Sequence, residues 1–276
     1  MKRSKIVLAV GLIMMAVFGA FALFPQVFAP FDPKEMFVAW QTPNNVHLLG
    51  TNDMGYDILS EIIWATRTTL IIGLAAAFIS LVIGSGVGIA AGYLSGWKGE
   101  LADGFIQIFL LIPMLPMAIV IAAFFGTDTK IIIIVIAVLG WSGTARIVRT
   151  RTMQLKQTPF VEALMILGIP RGQIMFRHIL PNLWEVVLSR YIMNVARCMM
   201  LEATLSFLGL GEPTQVTWGR MINLAYKRGG FTTGAYNWLV TPGLCIALIV
   251  IAFYCINHYL EAKNDQVSGG GRSYLE

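Results

Sequence analysis

Four stretches of this sequence contain no Asp, Glu, Lys or Arg: residues 6–31, 68–97, 104–127 and 229–260. A helix needs only about 20 apolar residues to cross a bilayer. In hydrocarbon every backbone N–H and C=O must be paired within the structure, so runs of this kind fold as helices. Only 13% of residues are charged and 57% are hydrophobic, with mean hydropathy +0.71. A soluble domain of this length needs more charged surface, so the chain is a polytopic membrane protein.

The net charge of +5 does not point to nucleic acid, because the basic residues cluster beside the apolar runs. Arg146, Arg149, Arg151, Lys156, Arg171 and Arg177 share one inter-span segment, and Lys2, Arg3 and Lys5 open the chain. Lys and Arg of this kind mark cytoplasmic loops. The first apolar run resembles a signal peptide but is too long, and Phe24-Pro25 interrupts any clean cleavage site. It is expected to remain as a first span with a cytoplasmic N-terminus. Cys198, Cys245 and Cys255 lie in apolar stretches with neither zinc spacing nor a disulfide pattern.

Span 1 is expected over about Ile6–Phe24. A polar segment with Pro30, Pro33 and Pro43 as breakers follows to about Thr66. Within it, "LLGTNDMGYDILSEIIWATRTTL" predicts an amphipathic helix at the membrane surface, capped by Thr51, Asn52 or Asp53. Asp53, Asp57 and Glu61 recur every four residues there, read as a solvated acidic stripe in preference to a docking edge. Span 2 (about Leu70–Tyr93) carries Gly84, Gly88 and Gly92 at small-xxx-small spacing, which predicts a close helix contact. Span 3 (about Phe105–Phe125) should kink or break at Pro113 and Pro116. Span 4 has fifteen uncharged residues from Ile131 to Ala145, roughly 22 Å of helix, and must borrow a turn or tilt little. Residues 186–208 are apolar overall but contain Arg190, Arg197 and Glu202, so hydropathy alone would reject them as span 5. Span 6 covers about Trp238–Tyr259. The division is 1–66 for the first span and outer segment, 67–260 for the core, and 261–276 for a polar, disordered cytoplasmic tail.

Four crossings from a cytoplasmic N-terminus return the chain to the cytoplasm at Arg146, so residues 146–182 are cytoplasmic. A helix through Glu162, Ala163 and Leu164 should end with Gly168 in the left-handed C′ position, and Pro170 blocks continuation. A second short helix is expected over about Arg171–His178, before Pro181 opens span 5. This helix-turn-helix carries Met165, Ile166, Leu167, Ile174, Met175 and Phe176, more apolar surface than a solvated loop exposes. Either the spans above or a partner below must cover it.

On these residues the sequence resembles a family. "EALMILG", nine residues and "HILP" resemble the coupling motif of bacterial ABC importer permeases, Glu-Ala-Ala, three residues, Gly, nine residues, Ile-x-Leu-Pro; Leu164 and His178 depart from it. "LGTNDMGYDILS" (49–60), with Tyr56 at the motif's Arg, and "EATLSFLGLG" (202–211) are similar to segments of the peptide/nickel-type branch. The short first loop resembles the second, "C-type", permease of the heterodimer. The resemblance implies the all-α, type I ABC importer permease fold with six transmembrane helices and the coupling helix-turn-helix between spans 4 and 5. It implies a bacterial inner-membrane location with both termini cytoplasmic. The partners it implies are a second homologous permease, two cytoplasmic ATP-binding subunits and an extracytoplasmic solute-binding protein. The chain has no G-x-x-x-x-G-K-[ST] phosphate loop, so ATP and Mg belong to the ATPase subunits and no cofactor is expected here. Cargo is expected to be di- or oligopeptides, with nickel or other metal chelates and oligosaccharides as alternatives.

By the same resemblance Glu162, Ala163, Leu164, Gly168, Arg171, His178, Leu180 and Pro181 form the ATPase-coupling set. Glu162 is the charge contact and Ala163 the point of close approach. Gly168 makes the turn, and Leu180-Pro181 fix entry into span 5. The competing reading makes Glu162 a solvated carboxylate near Arg171 or Lys156. Ionisable groups inside spans usually face a bundle interior or a wet cavity. Arg190, Asn194, Arg197 and Glu202 are therefore candidates for the translocation path or the permease interface, with structural pairing as the alternative. Arg190 and Arg197 share a face, whereas Glu202 lies about 140° from Arg197. His47, His178 and His258 are too scattered for a metal site, and no catalytic constellation stands out. A secondary transporter would need midplane coupling carboxylates and repeat-like halves, and a membrane enzyme a clustered catalytic set.

Overall fold

The computed structural model describes residues 2–270, with side chains described within 4–262. Helices α1 (Lys2–Leu23), α2 (Ile58–Tyr93), α3 (Trp97–Leu111), α4 (Met114–Phe125) and α5 (Thr129–Lys156) form the first half of the chain. Helices α6 (Pro159–Ile166), α7 (Trp184–Leu205), α8 (Trp218–Lys227) and α9 (Tyr236–Gly270) follow. An isolated bridge between Thr51 and Asp57 is the extended pairing seen among the described residues. The protein is an all-α integral membrane protein. Helices α1, α2, α5 and α9 are each long and apolar enough to cross a membrane, and α3–α4 together would make a further, bent crossing.

The bundle is organised around α2 and α5. A Cβ built on Gly84, Gly88 or Gly92 would stand 2.6 Å from the carbonyl oxygen of Trp141, Ala145 or Arg149 respectively. It would also stand 2.9, 2.9 and 2.7 Å from the Cβ atoms of Thr144, Val148 and Thr152. Three glycines four residues apart thus meet three backbone carbonyls four residues apart, so the helices touch backbone to backbone. Gly86, on another face, has no atom within 4 Å of such a Cβ. The expected close contact lies within the chain, between α2 and α5.

Helix α2 runs 36 residues without a break, about 54 Å. The separate amphipathic surface helix expected over the Thr51–Thr66 region is absent, and the 66/67 boundary falls inside one continuous helix. Its N-cap is Asp57, whose carboxylate accepts from the Ser60 N–H, rather than Thr51, Asn52 or Asp53. Nothing in 58–70 breaks a helix, and the buried Ser60, Glu61, Thr66 and Thr69 find protein partners. The Trp218 N–H reaches the Thr69 hydroxyl and its indole N–H the Ile62 carbonyl, both at 3.2 Å. Phe18 of α1 packs edge-on against this fully buried indole.

Helix α5 likewise exceeds its fifteen-residue apolar run, continuing through Arg146, Arg149 and Arg151 to Lys156. Span 3 breaks as expected at Pro113, where α3 and α4 meet at 83°. Pro116 lies in the first turn of α4, where its missing N–H costs nothing. The weakly hydrophobic fifth segment is a 22-residue helix, α7, packed between α2 and α9. Helix α9 extends to Gly270, into the segment expected to be a disordered tail. The rest of that segment, 271–276, lies outside the described residues.

Replacing Gly88 by Leu should lower the thermal unfolding midpoint of the purified protein in detergent, at a cost of about 1–3 kcal/mol from overpacking. Gly86→Leu should leave the midpoint unchanged, and equal effects at the two positions would refute the seam.

Candidate functional site

The segment between α5 and α7 closes one end of the bundle. Helix α6 begins at Pro159 in the first turn, where proline needs no hydrogen-bond partner. It ends in a Schellman motif. Gly168 takes φ +72°, its N–H donates to the Met165 carbonyl, and the Ile169 N–H donates to the Leu164 carbonyl. The C′ role expected of Gly168 is therefore met. Beyond Pro170 the expected Arg171–His178 α-helix is one α-turn, Arg171–Gln173, followed by a π-helical stretch, Ile174–Ile179. Pro181 explains the widening: it has no N–H, and its ring opposes the carbonyl one α-turn back. The Asn182 side-chain amide donates to the His178 carbonyl at 2.7 Å, and the His178 ring packs against Phe160.

This segment has two faces. Val161, Leu164, Ile174, Ile179 and Leu183 are buried together with Ile89, Tyr93 and Val148, and Leu180 and Met175 pack at the edge. Leu164, a departure from the motif, is thus an inward-facing seal rather than a contact residue, and Ile174 is buried rather than exposed. The outer face presents Glu162, Ala163, Gly168, Arg171 and Pro181, with Phe160, Met165, Ile166, Leu167 and Phe176 all exposed. Ile166 and Leu167 are 86% and 75% exposed, too much apolar surface to leave in water.

Glu162 also borders a polar cavity of ≈ 530 Å³ between α3, α5 and α6, lined by Glu100, Asp103, Arg149 and Lys156. Arg149 pairs with Asp103 at 2.9 Å. Lys156 donates to the Ser95 hydroxyl and lies over the Tyr93 ring. Among the described residues Glu162 has no salt bridge or hydrogen bond; it is exposed and shares this cavity with Lys156, an arrangement that also fits the competing reading of a solvated carboxylate near that lysine.

A second cavity, ≈ 650 Å³, opens between α4, α5 and α7. Arg190, Asn194 and Arg197 line it together, with Thr144 and Thr204 and the methionines Met114, Met193 and Met200. Glu202 is not among them. It is fully buried on the opposite side of α7, accepting from the Ser206 hydroxyl at 2.7 Å. Behind it, α8 approaches so closely that a Cβ on Gly219 would stand 2.4 Å from the Ala203 carbonyl oxygen. The four residues grouped by sequence thus divide into three on a cavity and one in a seal.

The opposite end of the bundle holds a buried polar lock. The Asp57 carboxylate accepts from the Ser60 N–H and hydroxyl, and lies 3.0 Å from His47 Nδ1. Asn52 accepts from the N–H groups of Met54 and Tyr56, and its amide donates to Glu61 at 2.9 Å. His47, Asn52, Asp57 and Glu61 are all buried. The acidic residues are therefore not a solvated stripe, and only Asp53 reaches outward, to Arg228 at 2.7 Å. The turn needs its glycines: Gly50 and Gly55 have φ near +80°, and a Cβ on either would collide with the Gln41 or Phe37 carbonyl. Nearby, Glu212 accepts from the N–H and hydroxyl of Thr129 at the start of α5. The bonds from Thr129 and Thr214 hold its carboxyl below the usual carboxylate range.

The helical membrane bundle thus carries an exposed apolar turn at one end, a polar lock at the other and an arginine-lined cavity on α7. Residues 84–266 match the family model of the binding-protein-dependent transport system inner membrane component, and the chain belongs to that family. It is similar to the oligopeptide transport system permease protein OppC of Haemophilus influenzae, with 33% identity over 95% of this chain and 84% of that one. It is 31% identical to the glutathione transport system permease protein GsiD of Pectobacterium atrosepticum, over 95% and 87%. The dipeptide transport system permease protein DppC of Alkalihalophilus pseudofirmus is 30% identical, over 96% and 87%. The secondary-transporter alternative is set aside by this membership.

The lock makes a prediction. Asp57→Ala removes a helix cap, about 1 kcal/mol, and a buried hydrogen-bond acceptor, about 1–3 kcal/mol more. Asp53→Ala, losing a partly exposed ion pair, should cost under about 1 kcal/mol. Thermal unfolding of the two variants should separate them clearly, and equal losses would contradict the geometry.

Proposed function

We propose that this chain is the second permease of an ATP-driven importer for di- or oligopeptides. It forms half of the translocation path with a homologous permease, two cytoplasmic ATP-binding subunits and an external binding protein. The observation that carries this reading is the two-faced coupling segment. Its inner face is packed into α2 and α5, while its outer face leaves a carboxylate unpaired and Ile166 and Leu167 bare. A surface of that kind suits a protein partner, and the ATPase that this chain lacks is the partner the family supplies. The relatives named for oligopeptide, dipeptide and glutathione transport support peptides over metal chelates or oligosaccharides.

On this reading the N-terminus, the coupling segment and the end of α9 are cytoplasmic, and α7 is the fifth of six crossings. ATP-driven closure of the ATPase pair pushes α6, and the push reaches α2 and α5 through Leu164, Val161 and Val148. Rigid helices then rock between inward- and outward-open arrangements. Glu162 provides the charge contact and Ala163 the close approach, while the face bearing Arg190, Asn194 and Arg197 borders the path. No bond is made or broken on this chain, which acts as the non-catalytic subunit of the ATP-hydrolysing complex.

Charge reversal by Glu162→Lys should abolish import while the complex still inserts and assembles in the membrane; normal ATP-coupled transport by that variant would sink the assignment. Single cysteines at 190, 194 and 197 should react with an aqueous thiol reagent in at least one conformation. Protection in both the nucleotide-free and the ATP-trapped complex would reject the pathway role.

A further inference from the structure

The cavity on α7 is electrically one-sided. Arg190 and Arg197 both line it, and among the described residues neither forms a salt bridge or a hydrogen bond. None of the described residues lining the cavity is Asp or Glu. Between them lies Asn194, which is 7% exposed and whose amide nitrogen is buried with no partner. An arginine at the centre of a membrane helix costs about 2.5–3.5 kcal/mol on insertion scales, and a buried amide without an acceptor about 1–3 kcal/mol more. Three donors left open around one space point to an acceptor that enters from outside the chain.

The rest of the wall narrows the chemistry. Met114, Met193 and Met200, with Leu115, Leu201 and Val250, supply soft, apolar surface. Thioether side chains adapt to varied shapes, so this wall imposes little selection on side-chain identity. Peptides vary in their side chains and share their termini. An α-amino terminus would need a carboxylate, which the described lining lacks, whereas a terminal carboxylate matches guanidinium geometry in a bidentate pair. From this we infer that Arg190, Asn194 and Arg197 form a carboxylate-binding track that holds the C-terminal carboxylate of a free-acid peptide during its passage.

Arg190 and Arg197 are seven residues apart on one face, about 10 Å along the helix. A carboxylate can therefore pass from one guanidinium to the next with the Asn194 amide between them. Two weak stations in series let an ion enter and leave, where a single tight site would trap it. With α7 oriented as proposed above, Arg197 is the station reached first and Arg190 the one nearer the cytoplasm. The inference rests on the pathway role proposed for this face.

The test uses the assembled importer with Asn194→Cys, nucleotide-free in detergent, so that the binding protein's own preference plays no part. A millimolar free-acid tripeptide should slow thiol labelling at position 194, whereas the same tripeptide as its C-terminal amide should not. Adding Arg190→Gln or Arg197→Gln should weaken the protection by about tenfold or more, equivalent to about 1.4 kcal/mol, and Arg197→Lys should keep part of it. In the unlabelled background, Arg197→Gln should slow import of the free acid while assembly stays normal. Equal protection by acid and amide would overturn the inference, as would protection that survives both glutamine substitutions. Labelling that proceeds but ignores both peptides would also overturn it, and would assign the arginines to carboxylates of the partner permease. Complete absence of labelling in every state would instead reject the pathway role on which the inference stands.

Discussion

The contact on which the bundle depends is the backbone-to-backbone seam between α2 and α5. Lipid tails are as apolar as leucine, so burial of apolar side chains does not drive helices together inside a membrane. Close packing does, and its dispersion gain falls steeply with any gap. Gly84, Gly88 and Gly92 present bare backbone in the same four-residue rhythm as the carbonyls of Trp141, Ala145 and Arg149. The matched rhythm fixes rotation and axial register together. A slip by one residue would bring a side chain against a carbonyl along the length of the contact.

That seam gives the two ends of the molecule a common frame. At one end, Ile89 and Tyr93 of α2 and Val148 of α5 receive Val161 and Leu164 of the coupling helix. At the other, the first turns of α2 carry Asp57 and Glu61 in the polar lock, and Thr129 at the head of α5 is held by Glu212. A close-packed pair transmits displacement because its packing has few alternatives. Force on Leu164 therefore has a continuous solid route to the far end, which a loosely packed bundle would not offer.

Much of this was legible in the sequence wherever one residue type admits one solution. The glycine spacing announced the seam, Gly168 before Pro170 announced the Schellman turn, and Pro113 announced the break in span 3. The errors share a physical cause: local pattern cannot see tertiary partners. Asp57 and Glu61 read as a wet stripe because their spacing is that of a helix face. Their buried partners, His47 and Asn52, come from the preceding turn. Helix α2 read as two elements because Thr66, Arg67, Thr68 and Thr69 look like a polar boundary, although none of them breaks a helix. The π-helical stretch before Pro181 follows from the proline's missing N–H, with the Asn182 amide donating to the His178 carbonyl.

Helix α7 shows how a weakly hydrophobic segment can still be determined as a helix of the bundle by its sequence. Its charges are sorted by angle. Glu202 sits about 140° from Arg197 around the helix and is fully buried, accepting from the Ser206 hydroxyl on the side where α8 packs. Arg190 and Arg197 face the cavity, where no described acid meets them. Had the carboxylate stood at i+4 or i+3 from an arginine, the two would have neutralised one another within the helix. The five-residue spacing prevents that and keeps the guanidinium charge on the open face. A charge held there lowers the hydropathy of the helix and meets no acidic side chain among the described residues lining the cavity.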